Sequence, residues 1–177
     1  MRWIALILAA FGMHASFSPL VDAARDGDAA SIHRLIAAGA DPNAPAGEND
    51  WTPLIHAVHK NQAASVAALL DSGAEPNRAV DGGTPLMWAA GYGNTPIVEM
   101  LMRRGANPRL TDLDGETALD WALVGTTDID RFTFFRCQDD TVLALLHSPG
   151  APHLVRPINR RWAAIKRCES VAAVGAR

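Results

Sequence analysis

Thr84-Pro85-Leu86 opens a stretch that closes, with its Gly 21 positions on, in Gly105-Ala106-Asn107-Pro108-Arg109. The same frame stands upstream. Thr52-Pro53-Leu54 leads to Gly73-Ala74-Glu75-Pro76-Asn77, and Ser18-Pro19-Leu20 leads to Gly39-Ala40-Asp41-Pro42-Asn43, each with the same 21-residue interval. Thr117-Ala118-Leu119 starts a fourth row, and the steps between row starts are 34, 32 and 33 residues. A lone Thr-Pro-Leu would mark nothing, but two linked motifs recurring at one period mark a repeat architecture.

Each row reads as a pair of helices. A Ser or Thr N-cap accepts a bond from a helix N–H that has no other partner, and Pro in the first turn loses no bond. Thr52-Pro53 and Thr84-Pro85 are therefore predicted helix starts, and Thr95-Pro96 gives the same signal for the second helix of row three. Leu54, Ala57 and Val58 share one helical face, as do Leu86, Ala89 and Ala90. Breaks are expected near Asn61 and Gly93. Second helices carry apolar residues at the same spacing: Ile32, Leu35 and Ile36; Val66, Leu69 and Leu70; Val98, Leu101 and Met102. Gly39, Gly73 and Gly105 supply left-handed turns that end them. Asp81-Gly82 and Asp114-Gly115 mark tight turns before the next row. No row buries its apolar face alone, so the rows must stack.

With these motifs the sequence resembles the ankyrin-repeat family, from residue 18 to about 154. The resemblance implies an all-α solenoid of about four helix-turn-helix repeats with short β-turn tips, and a C-terminal capping helix closes it. It further implies a concave face built from turn tips and first helices, where variable residues hold a partner protein. Mapped onto this chain, the partner-binding residues are Trp51, His59, Lys60, Asp81, Tyr92, Asp114 and Glu116, with Trp51, Lys60 and Tyr92 as the expected anchors. The chain departs from the family where a His usually follows Thr-Pro-Leu: those positions hold Val21, Ile55, Met87 and Asp120. The next column reads Asp22, His56, Trp88 and Trp121. Two readings of Trp88 and Trp121 stay open, a packing ladder between neighbouring helices or an aromatic patch exposed for binding.

Row four is longer. Thr117 to Gly150 spans 33 positions, so twelve extra residues must loop out near 125–140, a stretch containing Phe132, Phe134, Phe135 and Cys137. The three Phe either cover the last repeat or extend the aromatic patch toward a partner. Cys137 and Cys168 lie 31 residues apart and are read either as one disulfide or as two separate thiols. The domain reading is a signal peptide over 1–15, a repeat domain over 16–154, and a capping helix with a basic tail over 155–177. The first segment is basic at Arg2, then apolar from Trp3 to Met13 apart from Gly12. That run is of secretory length and too short to span a membrane. The alternative is a cytoplasmic capping helix.

Charge narrows the function. Nearly half of the 177 residues are apolar and 20% are charged, as in folded soluble proteins. Residues 1–153 carry ten Lys or Arg against eighteen Asp or Glu, whereas 154–177 carry six against one. An acidic body argues against nucleic acid as partner. His56 and His59 lack a third ligand for zinc, and Cys137 with His147 lacks an orienting group, so neither metal, cofactor nor enzymatic activity is expected. The leading expectation is a monomeric, periplasmic or secreted protein-binding module, a neutralising or accessory partner of another exported protein. The alternatives are a membrane-surface protein using the basic tail, and an enzyme using the row-four insertion.

Overall fold

A computed structural model describes residues 18–46, 50–124 and 139–147. Among them are eight helices: α1 (Pro19–Asp26), α2 (Ala29–Ala37), α3 (Pro53–His59), α4 (Ala63–Asp71), α5 (Pro85–Gly91), α6 (Thr95–Arg103), α7 (Ala118–Val124) and α8 (Asp139–Leu146). They form an all-α stack of helical pairs. First helices α1, α3, α5 and α7 pack in one file, and second helices α2, α4, α6 and α8 in another. The expectations for residues 1–15, for Phe132, Phe134, Phe135 and Cys137, and for the tail with Cys168 fall outside the described residues. No helix among the described residues is long and apolar enough to cross a membrane.

The Ser/Thr-Pro signal starts the helices for the predicted reason. Ser18 Oγ accepts from the Val21 N–H, Thr52 Oγ1 from Ile55 and Thr84 Oγ1 from Met87, at 3.3–3.4 Å. Such a cap contributes about 1 kcal/mol. In row four Ala118 replaces the proline, and the carboxylate of Asp120 accepts from both the N–H and the hydroxyl of Thr117, at 2.8 and 2.7 Å. Met87 does the same in row three, its sulfur accepting from the Thr84 N–H. Thus the position after Thr-Pro-Leu, where the family carries His, bonds back onto its own turn in two rows.

One predicted start is displaced. Thr95 is not the N-cap of α6: Asn94 is, and Thr95 lies inside the helix. Gly93, at φ 70°, turns the chain one residue before the Thr-Pro signal implies. The Asn94 amide donates across the stack to the Val58 carbonyl at 3.4 Å, and Thr95 Oγ1 pairs with Thr141 Oγ1 on α8 at 2.7 Å. Gly73 and Gly105 end α4 and α6 at φ 91° and 88°. A Cβ at either would meet nothing within 4 Å, so the demand for glycine there is conformational, not steric.

The core lies between the two files. Leu54, Ala57, Val58, Leu86, Ala89 and Ala90 from first helices meet Ile32, Val66, Leu69, Val98 and Leu101 from second helices, all of them buried. Alanine at 57, 89 and 90 removes bulk where the files approach most closely. Leu35, Ile36, Leu70 and Met102 pack at the core margin, half-buried. Between second helices the loops are stitched by asparagine. Asn43 Nδ2 donates to the Gly73 carbonyl while its Oδ1 accepts from the Glu75 N–H, and Asn77 repeats both bonds onto Gly105 and Asn107.

Candidate protein-interaction surface

First helices and the turns that precede them form one face of the stack. Two turns close as isolated antiparallel bridges, Ala46 with Trp51 and Val80 with Gly83. The third is closed by Asp112, whose N–H donates to the Glu116 carbonyl at 2.9 Å. Asp112 Oδ1 accepts from the N–H groups of Asp114 and Glu116, and its Oδ2 accepts from the Trp121 indole at 2.8 Å. Asp112 therefore sets the tip and orients Trp121. The sequence reading missed it, although an Asp two residues before Asp-Gly is itself a turn signal.

Under the tips runs a ladder of rings. Trp51 packs on His56, His59 and Trp88, with centroids 5.5, 5.2 and 5.3 Å away. Trp88 stacks on Tyr92 at 5.9 Å and meets Trp121 edge-on at 5.1 Å. His59 Nδ1 lies 2.9 Å from the Tyr92 hydroxyl, a buried bond between adjacent first helices. The ladder reading of Trp88 and Trp121 is thus correct, and both rings remain half-exposed on the face.

The expected anchors need correction. Trp51, His59 and Tyr92 are only 7%, 7% and 5% exposed, so they are not offered as surface anchors. Trp51 occupies the inner side of its bridge, and its ring is drawn under the tip onto His56 and His59. Tyr92 caps α5 but is covered by His59 and Trp88. By contrast Asp81 and Asp114 are exposed at their tips, and Lys60 and Glu116 are half-buried. Leu113, between Asp112 and Asp114, is 95% exposed. No hydrogen bond or ion pair from a described residue reaches the carboxylates of Asp50, Asp81 or Asp114.

His56 takes over part of the missing family histidine's work. Its Nε2 lies 3.1 Å from the Ala46 carbonyl and so ties α3 to the first tip. Burial holds its imidazole below the ordinary value of 6.5; the Ala46 carbonyl and Asp22 oppose that, and Arg25 and Lys60 reinforce it. Both His56 and His59 face Trp51, so they do share a side, but no group of three metal-ligating side chains occurs among the described residues.

The family model "Ankyrin repeats (3 copies)" matches residues 4–80, 20–112 and 76–153. The chain is an ankyrin-repeat protein. It is similar to "Ankyrin repeat family A protein 2" of Mus musculus, 48% identical over 42 residues, which is 24% of this chain and 14% of the mouse protein. The Homo sapiens protein of the same name matches equally over 13% of its length. "E3 ubiquitin-protein ligase hecd-1" of Caenorhabditis elegans is 39% identical over 66 residues, 37% of this chain and 2% of the ligase. The ankyrin stack thus spans a small part of these relatives, and what it shares with them is the repeat. Ankyrin repeats are protein-interaction modules, and this chain carries that architecture.

Proposed function

We propose that this ankyrin protein captures another exported protein through the tips and first helices of its stack, as a neutralising or accessory partner. One observation carries the reading. The face is ordered from beneath by a buried aromatic ladder, yet keeps half-exposed Trp88 and Trp121, unpaired tip carboxylates and the solvent-exposed Leu113 above it. Rigid support under accessible aromatic and charged groups lowers the ordering cost of association. Lys60, Asp81, Asp114 and Glu116 retain their assigned contact role in this proposal. Export rests on the apolar segment after Arg2 and confines the partner to the periplasm or the exterior.

Trp51 and Tyr92 are unsuitable probes, because replacing buried rings changes stability first. The test uses Leu113→Asp, whose side chain supports nothing. Affinity capture from the periplasmic and secreted fractions of the native host is compared between the wild type and this variant, with helicity checked by circular dichroism. A specific protein lost from the variant, at unchanged helicity, supports the assignment. Equal capture by both sinks it. The intact mass of the protein from its host checks export: a mass lacking the first 12–15 residues is expected, and a full-length mass would refute it.

A further inference from the structure

The charges of the described residues are divided across the stack. Arg34, Arg103 and Arg104 lie on second helices, with Arg78 and Arg109 in the loops that follow them. Of the two remaining cations, Arg25 is in the last turn of α1 and Lys60 caps the end of α3, so both stand at the ends of first helices farthest from the tips. At the tips stand Asp50, Asp81 and Asp114, exposed and unpaired among the described residues. Arg103 and Arg104, by contrast, already have partners in Glu99 and Asp71.

Resting on the protein-binding reading above, we infer that the occupant of this face is an extended segment of the partner protein carrying Lys or Arg at every third position. The argument is one of charge and spacing. Asp81 and Asp114 occupy the same position of successive tips, three residues before Thr84 and Thr117. Neighbouring packed helices lie about 8–10 Å apart, and an extended chain advances about 3.3 Å per residue. Three residues of such a segment therefore match one step of the stack. The half-exposed indoles of Trp88 and Trp121 lie beside those carboxylates in the same two repeats, and a guanidinium is attracted both to an indole face and to a carboxylate.

A second feature points to a main-chain ligand. The indole N–H groups of Trp51 and Trp88 are buried without an acceptor among the described residues. Trp51 is itself a tip residue, and Trp88 Nε1 lies against Gly83, where a Cβ would approach it to 2.9 Å. A buried donor without an acceptor is costly. A segment laid along the tips brings a row of carbonyls to these donors.

The probes are three 12-residue peptides offered to the full chain: one with Arg at every third position, one of the same composition with its Arg grouped at one end, and one with Glu replacing Arg. Binding is followed by calorimetry and by tryptophan fluorescence. The first peptide should bind tightest, weaken with salt, and lose about five- to tenfold affinity to the Asp81→Asn/Asp114→Asn double variant. Asn tolerates the left-handed backbone that Asp81 adopts at φ 52°, so the tip is retained. Equal affinity for the grouped peptide overturns the spacing. Binding of the Glu peptide, or indifference to the double variant, overturns the inference entirely. A native partner captured through Leu113 but insensitive to the double variant and to salt leaves the protein-binding face standing and removes only the basic segment.

Discussion

The stack has two seams, and they are built differently. Along the second-helix loops the joint is an amide clamp repeated without change. Asn43 donates at 3.1 Å and accepts at 2.8 Å across the first step, and Asn77 does so at 3.0 and 2.7 Å across the second. Along the first helices the joint changes with each step. Between rows one and two it is polar, with Gln62 Nε2 donating to the Arg25 carbonyl and the Ser65 hydroxyl to that of Ala23. Between rows two and three it is Trp51 on Trp88 and His59 on Tyr92. Between rows three and four it is Trp88 against Trp121. The periodic seam holds any neighbour of the same kind, whereas the aromatic seam fixes which face these particular rows present.

The sharpest way to break that contrast is Trp51→Ala. It removes a buried ring that touches His56, His59 and Trp88. Truncating a buried aromatic residue costs about 3–5 kcal/mol. Denaturant unfolding should show a loss of that size. Because a solenoid is held by nearest-neighbour interfaces, row one should then separate from the rest in an earlier phase, visible in hydrogen exchange. A loss below about 1 kcal/mol would mean that the rings lie together without holding the rows together.

The periodic seam predicts equality instead. Asn43→Ala and Asn77→Ala each remove one donated and one accepted bond at exposed positions, worth about 1–2 kcal/mol per variant. Their measured losses should agree within about 0.5 kcal/mol and add in the double variant, because the clamps share no atoms. Unequal or strongly non-additive losses would show that the clamps are not independent copies. The chain offers its own limit to the series. Arg109 stands where a third Asn would be, and a guanidinium has no acceptor to offer a backbone N–H.

This difference between seams also explains what the sequence revealed. The repeat, its Ser/Thr-Pro starts and its glycine ends were legible because each recurs, so one row corroborates another. Asn43 and Asn77 were visible inside the recurring motif, but their partners lie 28–32 residues away and become neighbours only when the rows stack. Trp51 has no periodic counterpart: the same tip position holds Gly83 and then Glu116. Reading tips as solvent-facing therefore placed Trp51 outside, when the bridge to Ala46 turns it inward. Tyr92 and His59 misled for a related reason, since a helix end that is open in an isolated row is covered by the next one. Trp88 and Trp121 were legible as a contact because they do recur, in the column after the missing histidine. Asp81 and Asp114 were legible as exposed because Asp-Gly turns leave the carboxylate outside.

The smallest expected effect separates the seams by pH. The amide clamps do not titrate, whereas the first-helix seam contains His56, packed on Trp51 and bonded to Ala46. Its charged form is disfavoured chiefly by burial, with Arg25 and Lys60 adding repulsion and Asp22 offsetting part of it. The folded value is thus below 6.5, the ordinary value that the unfolded chain retains. Between the two, the unfolded chain binds more protons than the folded one, so stability rises with pH across that window. Lowering the pH from neutrality through 6.5 should therefore reduce stability until the folded imidazole also protonates, below which the loss levels off. The chain has six His, so the wild-type curve alone is not diagnostic. The informative quantity is its difference from His56→Gln, which does not titrate and still offers an N–H toward Ala46. Unfolding midpoints measured from pH 7.5 to pH 4.5 should fall more steeply for the wild type than for this variant, by roughly one to three degrees over the range. The two Asn variants should run parallel to the wild type. Parallel curves for His56→Gln as well would remove His56 from the pH response and leave the two seams distinguished by packing alone.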